Sequence, residues 1–328
     1  MATKTLIQAI HDTMAEEMRR DDRVILMGED VGKRGGVFRV SAGLYDEFGE
    51  NRVIDTPLAE SSIIGAAIGA SMNGLLPIAE IQFFDFIHPA MNQIMNEAAK
   101  IRYRSFGDFH CPIVIRTPYG GGVHGALYHS QSIESAFTRE PGLKVVAPIN
   151  PADAAGLLRS AIQDEDPVLF LEHKKGYRMI KDEVPENGHI VPIGKARVVQ
   201  EGTDATIITY GMMLPESQAA AKAMTDAGGA SIEIIDLRSL RPLDTETILN
   251  SVMKTGKVLI VHEENRFGGV GAEVSALIAE EAFAWLDAPV MRIGGPEVPA
   301  MPYSKPLEAA YLPNSEKIGV ALERLSAF

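Results

Sequence analysis

Cysteine is nearly absent: Cys111 stands alone among 328 residues. An internal disulfide framework is therefore excluded, and a reducing compartment suits the chain. Positive charge is also scarce, with 31 Lys and Arg against 44 Asp and Glu and a formal net charge of −13. That balance argues against nucleic acid or an anionic membrane surface as a partner. Long hydrophobic runs are missing too. The best of them, residues 63–79, is broken by Ser71, Asn73 and Pro77 and is too short to span a bilayer. No signal or transit peptide is recognisable ahead of the opening segment, where Leu6, Ile7, Ile10, Met14 and Met18 recur at helical spacing. The expectation is a soluble cytoplasmic protein, or a mitochondrial-matrix one only if a targeting peptide has been removed. There is no Gly-x4-Gly-Lys phosphate loop and no paired cysteine. Nor is there a Gly-Asp-Gly followed 25–30 residues later by Asn-Asn, the kind of segment that holds a diphosphate through a divalent metal.

What is present is ordinary globular composition, 46% hydrophobic and 23% charged, at a length that suggests two domains. Short β-branched runs alternate with helical stretches. Strands are expected at 23–28, 76–81, 111–117, 143–148 and 167–172, and helices at 61–73, 89–103 and 151–163, the last begun by Asn150 or Pro151. From His173 to Asp204 the pattern turns polar and turn-rich, which reads as a linker, placed at 176–203. Alternation then resumes, with strands at 205–211, 231–236, 257–263 and 288–294. The helices of this half fall at 215–227, 245–254, 271–283 and 316–325. Strand–helix alternation predicts an α/β fold of two domains, 1–175 and 204–328, each a mostly parallel sheet flanked by helices.

Three stretches carry chemistry. In "DTPLAE", Glu60 leads straight into an Ile-, Ala- and Gly-rich run. Burying a carboxylate costs several kcal/mol unless something compensates it. Either Thr56 caps a helix with Pro57 at its first position and Glu60 decorates the first turn, or the acid is buried for a purpose. The stretch "IQFFDFIHPA" places Phe83, Phe84 and Phe86 around Gln82 and Asp85. Such aromatics pack a core or, at a strand end, stack on a flat heterocycle. The segment "YGGGVHGALYHSQS" matches Gly-x-Gly-x-x-Gly at Gly120, Gly122 and Gly125, but no acid for a ribose follows at the required distance. These glycines fit a loop approaching a ligand better than a dinucleotide site. His129 in the same loop carries an imidazole, a side chain suited to proton transfer. Its spacing from His124 does not make a metal site.

Together "GED", "DTPLAE", "AEIQFFDFIHPA", "GGGVHGALYHSQS", "PGLKVVAP", "DPVLFLEHK" and "IIDLRSLRPLD", in this order from Thr5 to Leu325, resemble the β subunits of thiamine-diphosphate-dependent 2-oxoacid dehydrogenases. The resemblance implies a transketolase-like pyrimidine-binding domain followed by a transketolase C-terminal domain. It also implies an α2β2 heterotetramer in which the α subunit holds the diphosphate and its magnesium. Glu60 matches the acid that hydrogen-bonds the pyrimidine N1′, Phe86 the ring that stacks on the pyrimidine, and Leu58 and Gln82 residues lining that pocket. His129 matches a histidine near the incoming lipoyl group, and Glu29 an acid in a polar channel between the two cofactors. Another acid stands in some relatives where this chain has Pro89. Ile113, Ala161, Asp164 and Asp166 match main-chain ligands of a structural potassium. The histidine loop and "FIHPAMNQIMNEAAK" look more like the branched-chain enzymes than the pyruvate ones, with acetoin cleavage third. The lipoyl and subunit-binding domains of an acyltransferase core are the implied further partners. The second of these is expected near the C-terminus, where the Phe328 carboxylate is a candidate contact. A nicotinamide oxidoreductase and a non-catalytic interaction subunit are the competing readings.

Overall fold

The computed structural model describes residues 2–186 and 188–328. The chain forms two compact units, one running up to Tyr119 and including Ala136–Ile193, the other joining Gly120–Ser135 to Gly194–Phe328.

The first unit carries strands β1 (Ala2–Thr5), β2 (Val24–Gly28), β3 (Val53–Asp55), β4 (Leu76–Glu80), β5 (Val114–Tyr119), β6 (Lys144–Val146), β7 (Val168–His173) and β8 (Lys181–Val184). Its helices are α1 (Leu6–Arg20), α2 (Leu44–Phe48), α3 (Glu60–Met72), α4 (Ile101–Arg104), α6 (Pro151–Ile162) and α7 (Gly176–Met179), with α5 (Ser135–Thr138) at the boundary. Six strands form a parallel layer in the order β6-β7-β5-β4-β2-β3. Strands β2, β5 and β7 are buried along their whole length, because a parallel sheet has no wet face. Strands β1 and β8 pair antiparallel, apart from this layer.

Local chemistry sets the helix ends. Thr5 and Gln8 form a capping box at the head of α1. Asn150 caps α6 by accepting from the N–H groups of Ala152 and Asp153, with Pro151 at the first position. Helices α1 and α6 pack together across a seam where Arg159 donates to Glu17 at 2.9 Å and to Glu16 at 2.5 Å.

The second unit carries β9 (Arg197–Gln200), β10 (Ala205–Thr209), β11 (Ile232–Asp236), β12 (Ser239–Arg241), β13 (Val258–Asn265) and β14 (Met291–Gly295). Its helices are α8 (Met213–Asp226), α9 (Thr245–Thr255), α10 (Val270–Glu281), α11 (Lys305–Tyr311) and α12 (Ser315–Ser326). The sheet order is β14-β13-β10-β11-β9, parallel except for β9, which runs antiparallel to β11 at the edge.

The structure departs from the sequence pattern in three places. The helix expected at 89–103 is a chain of short pieces, including a widened π turn at Gln93–Glu97 and a 3-10 turn at Ala98–Lys100. Asn92 and Asn96, both weak helix formers, bond to each other there at 2.9 Å. Helix α3 begins at Glu60 with Ala59 as its cap and no side-chain capping bond, so Thr56 and Pro57 precede the helix rather than start it. The polar stretch after His173 carries α7, β8 and β9. Asn150→Ala removes the α6 cap and a bond to Asp182, and should lower stability by about 1 kcal/mol, read from urea midpoints at unchanged slope.

Candidate active site

Glu29, Leu58, Glu60, Gln82 and Phe86 all follow the carboxyl ends of three adjacent strands, β2, β3 and β4. The last residues of those strands, Gly28, Asp55 and Glu80, lie opposite one another in the ladder. Ligands of open parallel sheets bind beyond this edge. Gly28 is required at the corner, because a Cβ there would lie 2.8 Å from the Glu80 carbonyl oxygen. Asp55 accepts from the Gly32 N–H at 2.6 Å and so fixes the loop that follows β2.

The side chains at this edge are graded in exposure. Leu58 is 70% exposed, and Glu60 and Phe86 are half-buried. Glu60 has no hydrogen-bond or ion-pair partner among the described residues. The sequence pattern left a surface acid and a buried one open; within this chain Glu60 is half-buried. Gln82 donates to the Glu29 carbonyl at 3.3 Å, tying the loop after β4 to the loop after β2. Burial, then the like charges of Asp30 and Glu60, raise the Glu29 carboxyl above its ordinary pKa. The Phe86 ring meets Phe83 edge-on at 5.7 Å, and Phe83 in turn packs on Phe38 at 5.4 Å. Phe84 points into the core instead, fully buried against Phe137.

Behind this edge lies a charged core that sequence reasoning missed. Arg116 of β5 is 1% exposed and donates twice to Glu172 of β7, at 2.6 and 2.8 Å, and once to Glu80 of β4 at 2.8 Å. The Tyr177 hydroxyl of α7 donates to Glu172 at 2.6 Å. Desolvation raises the Glu80 carboxyl, partly countered by Arg116. Only a charge inside an apolar strand, as Arg116 is in "CPIVIRT", could have signalled this core.

His129 belongs to the second unit, exposed at the end of the 3-10 turn Ala126–Tyr128. The glycine pattern at 120–125 thus opens a three-residue turn and no helix, so it lacks the helix N-terminus on which a dinucleotide pyrophosphate sits.

Ile113, Ala161, Asp164 and Asp166 gather around the amino ends of β5 and β7, at the edge away from Glu60. The Ile113 carbonyl accepts from Val168 at 3.0 Å and the Ala161 carbonyl from Asp164 at 3.3 Å. Lys144 meets Asp164 at 2.6 Å, and Arg102 meets Asp166 at 2.5 Å. Among the described residues no group of three or more His, Cys, Asp or Glu side chains could hold a metal, and no helix is long and apolar enough to cross a membrane.

The edge at Glu60 therefore fits the flat, nitrogen-bearing half of a cofactor: an open carboxylate, a half-buried ring and an exposed leucine. The described residues supply no metal cluster to fit a diphosphate.

Comparison with known proteins agrees. Residues 2–179 match the transketolase pyrimidine-binding domain and residues 194–318 the transketolase C-terminal domain. A solved split gene transketolase, an inactive beta4 tetramer, aligns with a TM-score of 0.79 at 24% identity over 98% of each chain, a likeness of fold. The architecture is thus that of a two-domain transketolase-type α/β protein. The 2-oxoisovalerate dehydrogenase subunit beta of Bacillus subtilis (strain 168) is 54% identical over 328 residues, the whole of both chains. The pyruvate dehydrogenase E1 component subunit beta of the same organism is 48% identical over 97% of each chain. That of Acholeplasma laidlawii is 46% identical over 99% of each. The chain belongs to the family of 2-oxoacid dehydrogenase β subunits.

Arg116→Met strands two buried carboxylates and should cost about 3–5 kcal/mol of stability. Glu80→Gln should cost far less, because the guanidinium keeps Glu172. The folded state holds the Glu80 proton more tightly than the unfolded one. That stabilising contribution is complete below the ordinary value of 4.5 and is lost as pH rises through the raised value. The Gln variant escapes this loss, so its urea midpoint should gain on the parent's from acid to neutral pH.

Proposed function

We propose that this chain is the β subunit of a thiamine-diphosphate-dependent branched-chain 2-oxoacid dehydrogenase, active with an α subunit in an α2β2 assembly. It carries out the oxidative decarboxylation of a 2-oxoacid such as 3-methyl-2-oxobutanoate and the reductive acylation of a lipoyl group. The observation that carries the reading is the unpartnered Glu60 carboxylate at the sheet edge that also bears exposed Leu58 and half-buried Phe86. Bound thiamine diphosphate would supply the electron sink for decarboxylation. Glu60 would hold a proton on the pyrimidine N1′, Phe86 would stack on the ring, and Leu58 and Gln82 would exclude water around it. Glu29, held near Glu60 by the Gln82 bond, would tune the charge beside that proton. His129 would move a proton during acyl transfer.

Magnesium and the diphosphate would fall to the α subunit. Potassium at Ile113, Ala161, Asp164 and Asp166 would bind through main-chain carbonyls, a purely structural role. The lipoyl and subunit-binding domains of an acyltransferase core are the remaining partners. The branched-chain substrate is favoured over pyruvate by the 54% against 48% identity of the two Bacillus subtilis relatives.

Co-expressed with its α partner and assayed with an artificial electron acceptor, the protein should turn over 3-methyl-2-oxobutanoate with higher kcat/KM than pyruvate. The reverse order would keep the chemistry and change the substrate. Glu60→Gln should assemble normally and lose two or more orders of magnitude in kcat, the usual scale for an acid–base group. Near-normal turnover in that variant would remove Glu60 from the mechanism.

A further inference from the structure

Buried carboxylates usually meet Lys or Arg. In the second unit, three of them bind the backbone of the loop that carries His129. Glu308 of α11, 2% exposed, accepts through one oxygen from the N–H groups of Gly122 at 2.9 Å and His124 at 3.2 Å. Its other oxygen meets His124 Nδ1 at 2.5 Å. Glu263 of β13 accepts from the Gly121 N–H and, at 3.2 Å, from the Ser132 hydroxyl. Its neighbour Glu264 accepts from the Ser135 N–H at 2.8 Å and hydroxyl at 2.5 Å, and from the Val270 N–H at 3.1 Å.

The backbone explains why carboxylates fit. Gly120 and Gly122 adopt φ of 85° and 81°, and His124 and Ala126, which carry side chains, adopt 58° and 57°. Positive φ at every second residue turns N–H groups to one side and forms a concavity that binds an anion. Glu308 fills it from within the chain. The loop is thus fastened at Gly121, Gly122 and His124 near one end and at Ser132 and Ser135 near the other. Between the fastenings, Leu127, Tyr128 and His129 stand exposed. The clamped base of the loop thus lies within a few residues of the imidazole on either side.

We propose that Glu308, assisted by Glu263 and Glu264, is a positioning residue for His129: the carboxylates hold the loop in its strained shape and so fix where the imidazole meets the lipoyl group. This rests on the role given to His129 above. Glu308→Ala and the milder Glu308→Gln, which keeps an acceptor oxygen, test it in the assembled αβ protein. In Glu308→Ala the amides of Gly122 and His124 should exchange with deuterium roughly tenfold faster or more. The kcat for acylation of a lipoyl domain should fall on the order of 10²-fold, the penalty for a misplaced group, while KM for the 2-oxoacid changes little. Glu308→Gln should recover part of both. Added to His129→Ala, Glu308→Ala should cost nothing further, because the imidazole it positions is already gone. A damaging His129→Ala beside a silent Glu308→Ala, or full additivity of the two, would overturn the positioning role alone. A silent His129→Ala would overturn the role given to His129 and the inference with it, leaving the rest of the proposed function in place. Should Glu308→Ala fail to assemble, the Gln variant carries the same comparison.

Discussion

The first unit is organised around one guanidinium. Arg116 binds carboxylates from the strands on either side of its own, fixing the carboxyl ends of β4, β5 and β7 relative to one another. Those ends launch the loops that carry Gln82 and Phe86. The cost of burying three charged groups is offset only because every strong donor of Arg116 meets a carboxylate and Tyr177 closes the remaining side. Such an arrangement contributes little net stability over an apolar core. What it contributes is geometry, since fork-shaped guanidinium–carboxylate contacts tolerate small displacements poorly. Placing that rigid element beneath an open ligand edge is consistent with a site whose side chains must be held to fractions of an ångström.

Three groups of acids in this chain stand in contrasting environments. Glu80 and Glu172 are buried and matched by Arg116. Glu263, Glu264 and Glu308 are buried and matched by backbone N–H groups and hydroxyls. Glu60 stands at the head of α3 with one side open and no partner. In a chain with a net charge of −13, an unpartnered acid on the surface is ordinary. An unpartnered acid at the carboxyl end of a parallel sheet, where ligands of such sheets bind, with a second, raised carboxyl at Glu29, is less so.

Much of this was legible in the sequence. Strands β2, β5 and β7 announce themselves because strands buried on both faces lack alternation. Asn150-Pro151 announces α6 because its side chain and ring meet the needs of the first helical turn. The short strands β8 and β9 were not legible, for the residues of an edge strand need satisfy only one neighbour and Lys-Asp-Glu-Val does so with exposed side chains. The start of α3 was legible to within one residue, expected at Ser61 and found at Glu60, while the Thr56-Pro57 cap that the sequence also allowed is not used. The carboxylate clamp was beyond reach altogether. Gly122 and Glu308 are 186 residues apart, and nothing in either neighbourhood distinguishes an acid that binds amides from one that faces water.

The openness of the Glu60 edge bears directly on the proposed assembly. Proton work at a carboxylate benefits from low dielectric, and this chain supplies only half of the cover: Leu58 is 70% exposed and Glu60 is half-buried. An edge left open on one side is shaped for completion by another surface. An α subunit that buries Leu58 would meet that need. Assembly would then switch on the chemistry by drying the site, because Glu60 gains its low-dielectric surroundings only when that second wall arrives.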